Sequence, residues 1–187
     1  MMLPEDTKLL VMCEGTNEKT VMEMLVDYGC LTFSRDDLLN LQVFHARQID
    51  KSTAVKTALN LYSGKVKVIR IGDALTDRLD IPKDYRDRVD ADSIEKYCTK
   101  PELEILLIIS EGLESEFDKV KGGKKRTSPK DFCKKNIMYN KMRYDNSSEF
   151  YMEYYGDDIS KLVNAIKRYK SIHKQGKDEL YLADLLK

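Results

Sequence analysis

Short apolar runs alternate with longer amphipathic stretches through the first part of the chain. Lys8 to Cys13 (KLLVMC) is nearly continuous in apolar residues, the pattern of a central strand covered on both faces. Glu14-Gly15 ends the run and Thr16 or Asn17 offers an N-cap oxygen. Val21, Met22, Leu25 and Val26 then recur at helical spacing, which predicts a helix closed by Gly29. A second strand is predicted in Leu39 to Phe44, followed by a helix from near Ser52 with Val55, Ala58, Leu59 and Tyr62 on one side. The third strand, Lys65 to Ile71 (KVKVIRI), stops at Gly72-Asp73. This β-α-β-α-β order predicts an α/β fold with a mainly parallel sheet, in which ligands gather at the carboxyl ends of the strands.

The following residues are less regular. Ala74 to Tyr97 is polar and rich in acids, and reads as loops and short helical turns. Thr99 and Pro101 then open a long predicted helix through about Val120, with Leu103, Leu106, Leu107, Ser110 and Leu113 on its apolar stripe and Phe117 following. Residues 121–135 (KGGKKRTSPKDFCKK) carry seven basic residues against one acid, with two glycines and a proline, the composition of a flexible positive loop. The last third reads as Tyr-rich helical segments, KNIMYNKMRY, SSEFYMEYYG and Asp158 to His173, with a short final helix over Glu179 to Leu186. The expected organisation is an α/β core over 1–120, a basic loop over 121–136 and a helical segment over 137–187 packed on the core.

Composition narrows the range of functions. The 187 residues carry 32 Lys+Arg against 32 Asp+Glu, a balance that excludes indiscriminate coating of nucleic acid or anionic membrane yet permits two opposite patches. No apolar run approaches the roughly 20 residues that span a bilayer. The start, MMLPEDTK, lacks the basic and apolar regions of an export signal. The expectation is a cytoplasmic, non-membrane protein whose Cys13, Cys30, Cys98 and Cys133 are free thiols. None of these is spaced CxxC, and His45 and His173 are isolated, which argues against a zinc site or a histidine dyad. No GxSxG elbow surrounds Ser110, and Gly122-Gly123-Lys124-Lys125 lacks the P-loop spacing.

Candidate chemistry concentrates where strands end. A strand delivers Glu14, Gly15 allows a tight turn, and the next helix aims its first N–H groups and positive dipole end at the same space. Glu14 can there bind a metal or move a proton, or be a surface acid in a turn. Glu18 falls in the first helical turn, where a carboxylate is also favoured structurally. Asp73 closes the third strand, with Asp77 four residues on. If the first and third strands are neighbours, Glu14 and Asp73 converge, and two or three hard oxygens suit Mg²⁺ or Mn²⁺. Arg70, one pleat before the strand end, contacts phosphate or pairs with an acid. Lys124, Lys125, Arg126 and Lys130 of the basic stretch are candidate phosphate contacts, with Tyr139 and Tyr144 nearby to stack or donate.

The segment VMCEGTNEKTVMEML resembles the first motif of Toprim domains, the fold shared by topoisomerases, primases and OLD-type nucleases, in which a Glu-Gly turn follows the first strand. Lys100-Pro101-Glu102-Leu103-Glu104 is similar to the Asn-Pro-x-Phe-Glu helix start of RloB-like proteins, a Toprim-related family of bacterial defence and mobile loci. Tyr139-Asn140-Lys141 and LVNAIKRYK resemble that family's carboxyl-terminal part. The resemblance implies a Toprim-like (Rossmann-like) sheet, Glu14 as a metal or acid/base glutamate, Asp73 as the acid after the third strand and Glu104 as the helix glutamate. Two departures stand out: Asp73-Ala74-Leu75 replaces the usual Asp-x-Asp pair, and Lys100 replaces the first Asn. Either Asp77 or Glu104 supplies the second ligand, or the metal site is weakened or lost.

Two functions follow. One is a Mg²⁺-dependent nuclease on DNA or RNA, which the resemblance places in phage or mobile-element defence beside a separate ATPase. The other is a non-catalytic adaptor that keeps the scaffold and uses its Tyr-rich helices to bind a partner protein or a second copy of itself.

Overall fold

A computed structural model describes residues 4, 6–73, 78–100, 102–122, 126–173 and 179–187. In chain order the elements begin β1 (Thr7–Cys13), α1 (Thr16–Asp27), β2 (Phe44–His45), α2 (Thr53–Leu61), β3 (Lys65–Gly72), β4 (Glu95–Cys98) and α3 (Ile105–Ser110). They continue with α4 (Glu114–Lys121), α5 (Pro129–Asn136), β5 (Met138–Tyr139), β6 (Met142–Arg143), α6 (Ser148–Gly156), α7 (Ile159–Ile172) and β7 (Leu180–Tyr181). Five strands form a parallel sheet in the order β2-β1-β3-β4-β7, and β5-β6 is a separate antiparallel pair. The protein is an α/β fold with helices on both faces of a parallel sheet.

The two-residue period of the strands divides the core into two layers. Leu9, Val11 and Cys13 of β1 join Ile69 and Ile71 of β3 in one cluster with α1, α3, α6 and α7. Leu10 and Met12 join Val66 and Val68 in the other, under α2. Both faces of β1 are thus covered, which is why its sequence is a run and not an alternation. Helix α1 closes as expected: Gly29 takes φ +64°, and Cys30 N–H donates to Leu25 O at 2.9 Å. Its N-cap is Gly15, not Thr16 or Asn17. Ser52 caps α2, its hydroxyl accepting the Val55 N–H at 3.3 Å.

Several elements differ from the sequence expectation. The second strand shrinks to Phe44–His45, because Leu39–Leu41 is a 3-10 turn with Asn40 and Leu41 at positive φ. β4 was hidden within a polar stretch, since only Tyr97 and Cys98 of its four residues are buried. The long helix expected through Val120 is broken at Gly112 (φ +67°), which separates α3 from α4; Pro101 lies outside the described residues. α3 (ILLIIS) is apolar almost all round and is correspondingly buried beside α5 and α7.

The basic stretch is not a loop throughout: Pro129–Asn136 is helix α5, capped by the Ser128 hydroxyl, which accepts the Asp131 N–H at 3.1 Å. KNIMYNKMRY is a hairpin, since Asn140 and Lys141 adopt φ 46° and 68°, the left-handed pair that a tight two-residue turn requires. The expected final helix is instead β7 followed by a 3-10 turn over Leu182–Leu185. The carboxyl-terminal segment thereby contributes an edge strand to the main sheet.

Among the described residues no helix is long and apolar enough to cross a membrane. The four cysteines are free, and Cys13, Cys98 and Cys133 are buried.

Candidate functional site

β1 lies between β2 on one side and β3 on the other, so successive crossovers leave it in opposite directions. Such a switch point opens a crevice at the carboxyl ends of the strands. A cleft of about 330 Å³ occupies it, lined by Glu14, Gly15, Thr16, Asn17, Glu18, Arg47, Asp73, Glu102, Leu103, Glu104, Lys130 and Asn146. Five of these residues are acids and two are basic.

Glu14 is placed by the sheet ladder. Its N–H donates to Ile71 O at 3.0 Å, which extends the β1–β3 pairing beyond Cys13 and sets Glu14 opposite Gly72, next to Asp73. Glu14, Arg70 and Gly72 therefore share one face of the sheet. The Glu14 carboxylate lies across Gly72: a Cβ there would come within 2.5 Å of Glu14 Oε2. It reaches Arg70 Nη2 at 3.5 Å, with the two side chains only 10% and 4% exposed. Arg70 also donates to Arg47 O at 3.4 Å. Of the two roles open to Arg70, contact with phosphate or pairing with an acid, the structure shows the second: it is buried and lies against Glu14.

Glu18, one turn into α1, folds back over Gly15, where a Cβ would collide with its carboxylate. Burial, reinforced by the neighbouring Glu104 and Asp73 charges, holds its carboxyl above the ordinary range. An acid whose pKa is raised on folding costs stability once pH exceeds its unfolded value, and costs nothing below it, where both states are protonated. In metal-free buffer Glu18→Gln is expected to raise Tm at pH 7, at about 2–4 °C per kcal/mol for a chain of this size. The gain should vanish below about pH 4, near the unfolded glutamate pKa. A thermal melt across pH tests this; a loss of stability at pH 7 would contradict it.

Glu104 precedes α3 and is buried at 4% exposure, so the cleft, not solvent, is its surrounding. The Tyr144 hydroxyl donates to Glu104 Oε1 at 2.7 Å, and Lys130 Nζ stands 3.8 Å from the same oxygen. Burial and the adjacent Glu104 carboxylate push the Tyr144 phenol far up, which keeps it a donor. Tyr144 is thus no stacking platform but a fixed support for Glu104. Tyr139 donates instead to Asp157 at 2.7 Å. Lys130 is held at the cleft by α5, and its backbone N–H donates to Glu102 Oε2 at 3.1 Å.

The structure brings Glu14, Asp73, Glu104 and Lys130 into one cleft. Arg126 lines a second cavity, and Asp77, Lys124 and Lys125 lie outside the described residues. Sequence reasoning missed Arg47, Asn17, Glu102 and Asn146. Asn17 Nδ2 donates to Asn146 O at 3.1 Å across 129 residues of chain, a closure that no local signal announces. Asp145-Asn146-Ser147 does read as a turn, and Asn146 takes φ +71°. All the acidic donors are hard oxygens, suited to Mg²⁺ or Mn²⁺. Among the described residues, however, no three His, Cys, Asp or Glu side chains are assembled to hold an ion.

Comparison of the chain with protein-family models, curated proteins and solved structures finds no match.

Proposed function

We propose that the protein is a divalent-metal-dependent phosphodiesterase acting on nucleic acid, a nuclease of Toprim-like, RloB-like type. The observation that carries this reading is the convergence of Glu14, Glu18, Asp73 and Glu104 with Lys130 on one cleft at the sheet's switch point. Mg²⁺ commonly takes only one or two protein carboxylates and completes its shell with water and substrate phosphate. Glu14 and Asp73, which line the same cleft, would meet that requirement without a third protein ligand. When bound, the ion supplies charge at a phosphoryl oxygen and a water of lowered pKa.

The chain's own residues divide the remaining work. Gly15 caps α1 without a side-chain bond, and the Glu18 carboxylate folded over it accepts a backbone N–H of the first turn, so a phosphate oxygen would take the helix N-terminus in competition with Glu18. Lys130 brings positive charge to the same cleft, steadied by Glu104, which Tyr144 holds in turn. Glu18 keeps its proton more firmly than an ordinary glutamate and is suited to exchange one with a leaving oxygen. Lys124 and Lys125 provide sequence-independent grip on the backbone. The RloB-like resemblance adds the setting, defence against phage or mobile elements beside a separate ATPase.

The test is incubation with labelled DNA and RNA in Mg²⁺ or Mn²⁺, with and without the ATPase partner. Metal-dependent cleavage is expected. Its absence on every substrate overturns the nuclease reading and leaves the non-catalytic adaptor, which two observations favour: the missing Asp-x-Asp pair and the lack of a three-ligand set among the described residues.

A further inference from the structure

A second cavity of about 950 Å³ adjoins the acidic cleft, and Glu102 lines both. Its apolar wall is Ile105, Phe117 and Ile172, of which Ile172 is 41% exposed. Of its acids, Glu114 is held by Arg168 at 3.7 Å and Asp118 by Lys121 at 2.6 Å. Glu102 has no cationic side chain on it among the described residues; its Oε2 accepts only the Lys130 backbone N–H. Arg126 likewise has no acid on it among the described residues and lines the same cavity. One uncommitted carboxylate and one uncommitted, exposed guanidinium therefore border a partly apolar space that opens beside the acidic cleft.

Building on the phosphodiesterase reading, we propose that this cavity is a base-binding subsite and that its ligand is guanine, the base of the nucleotide whose phosphate enters the acidic cleft. Guanine carries two neighbouring donors, N1–H and N2–H, which a carboxylate accepts side by side. Its O6 and N7 form the acceptor pair that arginine recognises best. Adenine and cytosine offer an amino donor without the O6/N7 pair, and uracil and thymine offer no amino group. Ile105 and Phe117 give the ring plane its apolar contact, and Glu102 joins the base site to the phosphate site.

The test measures equilibrium binding of guanosine 5′-monophosphate, its adenine, cytosine and uracil counterparts, and ribose 5-phosphate, to the full chain in Mg²⁺, without which the five acids of the cleft would repel the phosphate. Guanosine monophosphate is expected to bind at least 10-fold more tightly than ribose 5-phosphate and than the other nucleotides. Thr127→Trp, which fills the cavity from a half-buried position, should reduce it to parity while ribose 5-phosphate binding persists. NMR on the unmodified protein provides a readout free of any folding defect: contacts from guanine H8 to the Ile105 and Ile172 methyls. Equal affinity for guanosine monophosphate and ribose 5-phosphate, a preference for another base, or guanine contacts elsewhere each overturn the subsite. None of these bears on metal-dependent cleavage, whose absence overturns the nuclease reading separately.

Discussion

Glu14→Gln is expected to lower metal-dependent cleavage by roughly 10²–10⁴-fold, the range associated with loss of one positioned acid or base. The amide is isosteric and keeps an oxygen for Arg70, but it removes one charge of a buried pair, so circular dichroism and thermal melting must separate lost catalysis from lost stability. Gly72→Ala separates position from charge. The new Cβ would stand 2.5 Å from Glu14 Oε2, so the flexible carboxylate must move while its charge is retained. A misplacement of about 1 Å can cost 10²-fold in rate, and a loss of that order is expected. Unchanged cleavage by Glu14→Gln would leave a nuclease but remove this site from it.

Arg70→Met is expected to produce the largest loss of stability. Arg70 is 4% exposed and Glu14 10%, so removing the guanidinium leaves a carboxylate in a poorly solvated position. Breaking one side of a buried pair costs about 3–5 kcal/mol. For a chain of this length that lowers Tm by roughly 10 °C. Combining Arg70→Met with Glu14→Gln removes both charges and should recover much of the loss, because a buried pair replaced as a unit is often near neutral. Urea denaturation of the two single variants and the double variant closes the cycle. A cost below about 1 kcal/mol for Arg70→Met would mean that the pair behaves as an exposed one.

This pairing was partly legible in the chain. Lys8–Cys13 and Lys65–Ile71 are apolar enough to be central strands, and a two-residue period alone puts Arg70 and Gly72 on one face. Whether Arg70 meets a phosphate or an acid depends on the register, Met12 opposite Arg70, which brings Glu14 over Gly72. Register is a property of two strands, and neither sequence segment contains it. β4 and β7 escaped for a related reason. They are four and two residues long, too short for a periodic signal, and are held by pairing to strands distant in sequence. The hairpin over 138–143 was obscured by its tyrosines and methionines, which suit a helix as well as a strand, while the positive φ at Asn140 and Lys141 decided the outcome.

By itself the sequence determined the alternating α/β order, the two central strands, and the delivery of Glu14 and Asp73 to strand ends, because these depend on local hydrophobic period and turn chemistry. Only the tertiary structure decided that Glu104 turns into the cleft under Tyr144, that Lys130 leaves the basic stretch to stand beside it, and that Arg70 is buried. Those outcomes depend on contacts between segments as much as 56 residues apart along the chain. Net charge illustrates the difference: composition states that it is zero, whereas packing sets a cationic lysine among carboxylates and leaves Arg126 at the neighbouring cavity. Burial raises the cost of each unpaired charge, and that cost exists only once the chain has folded.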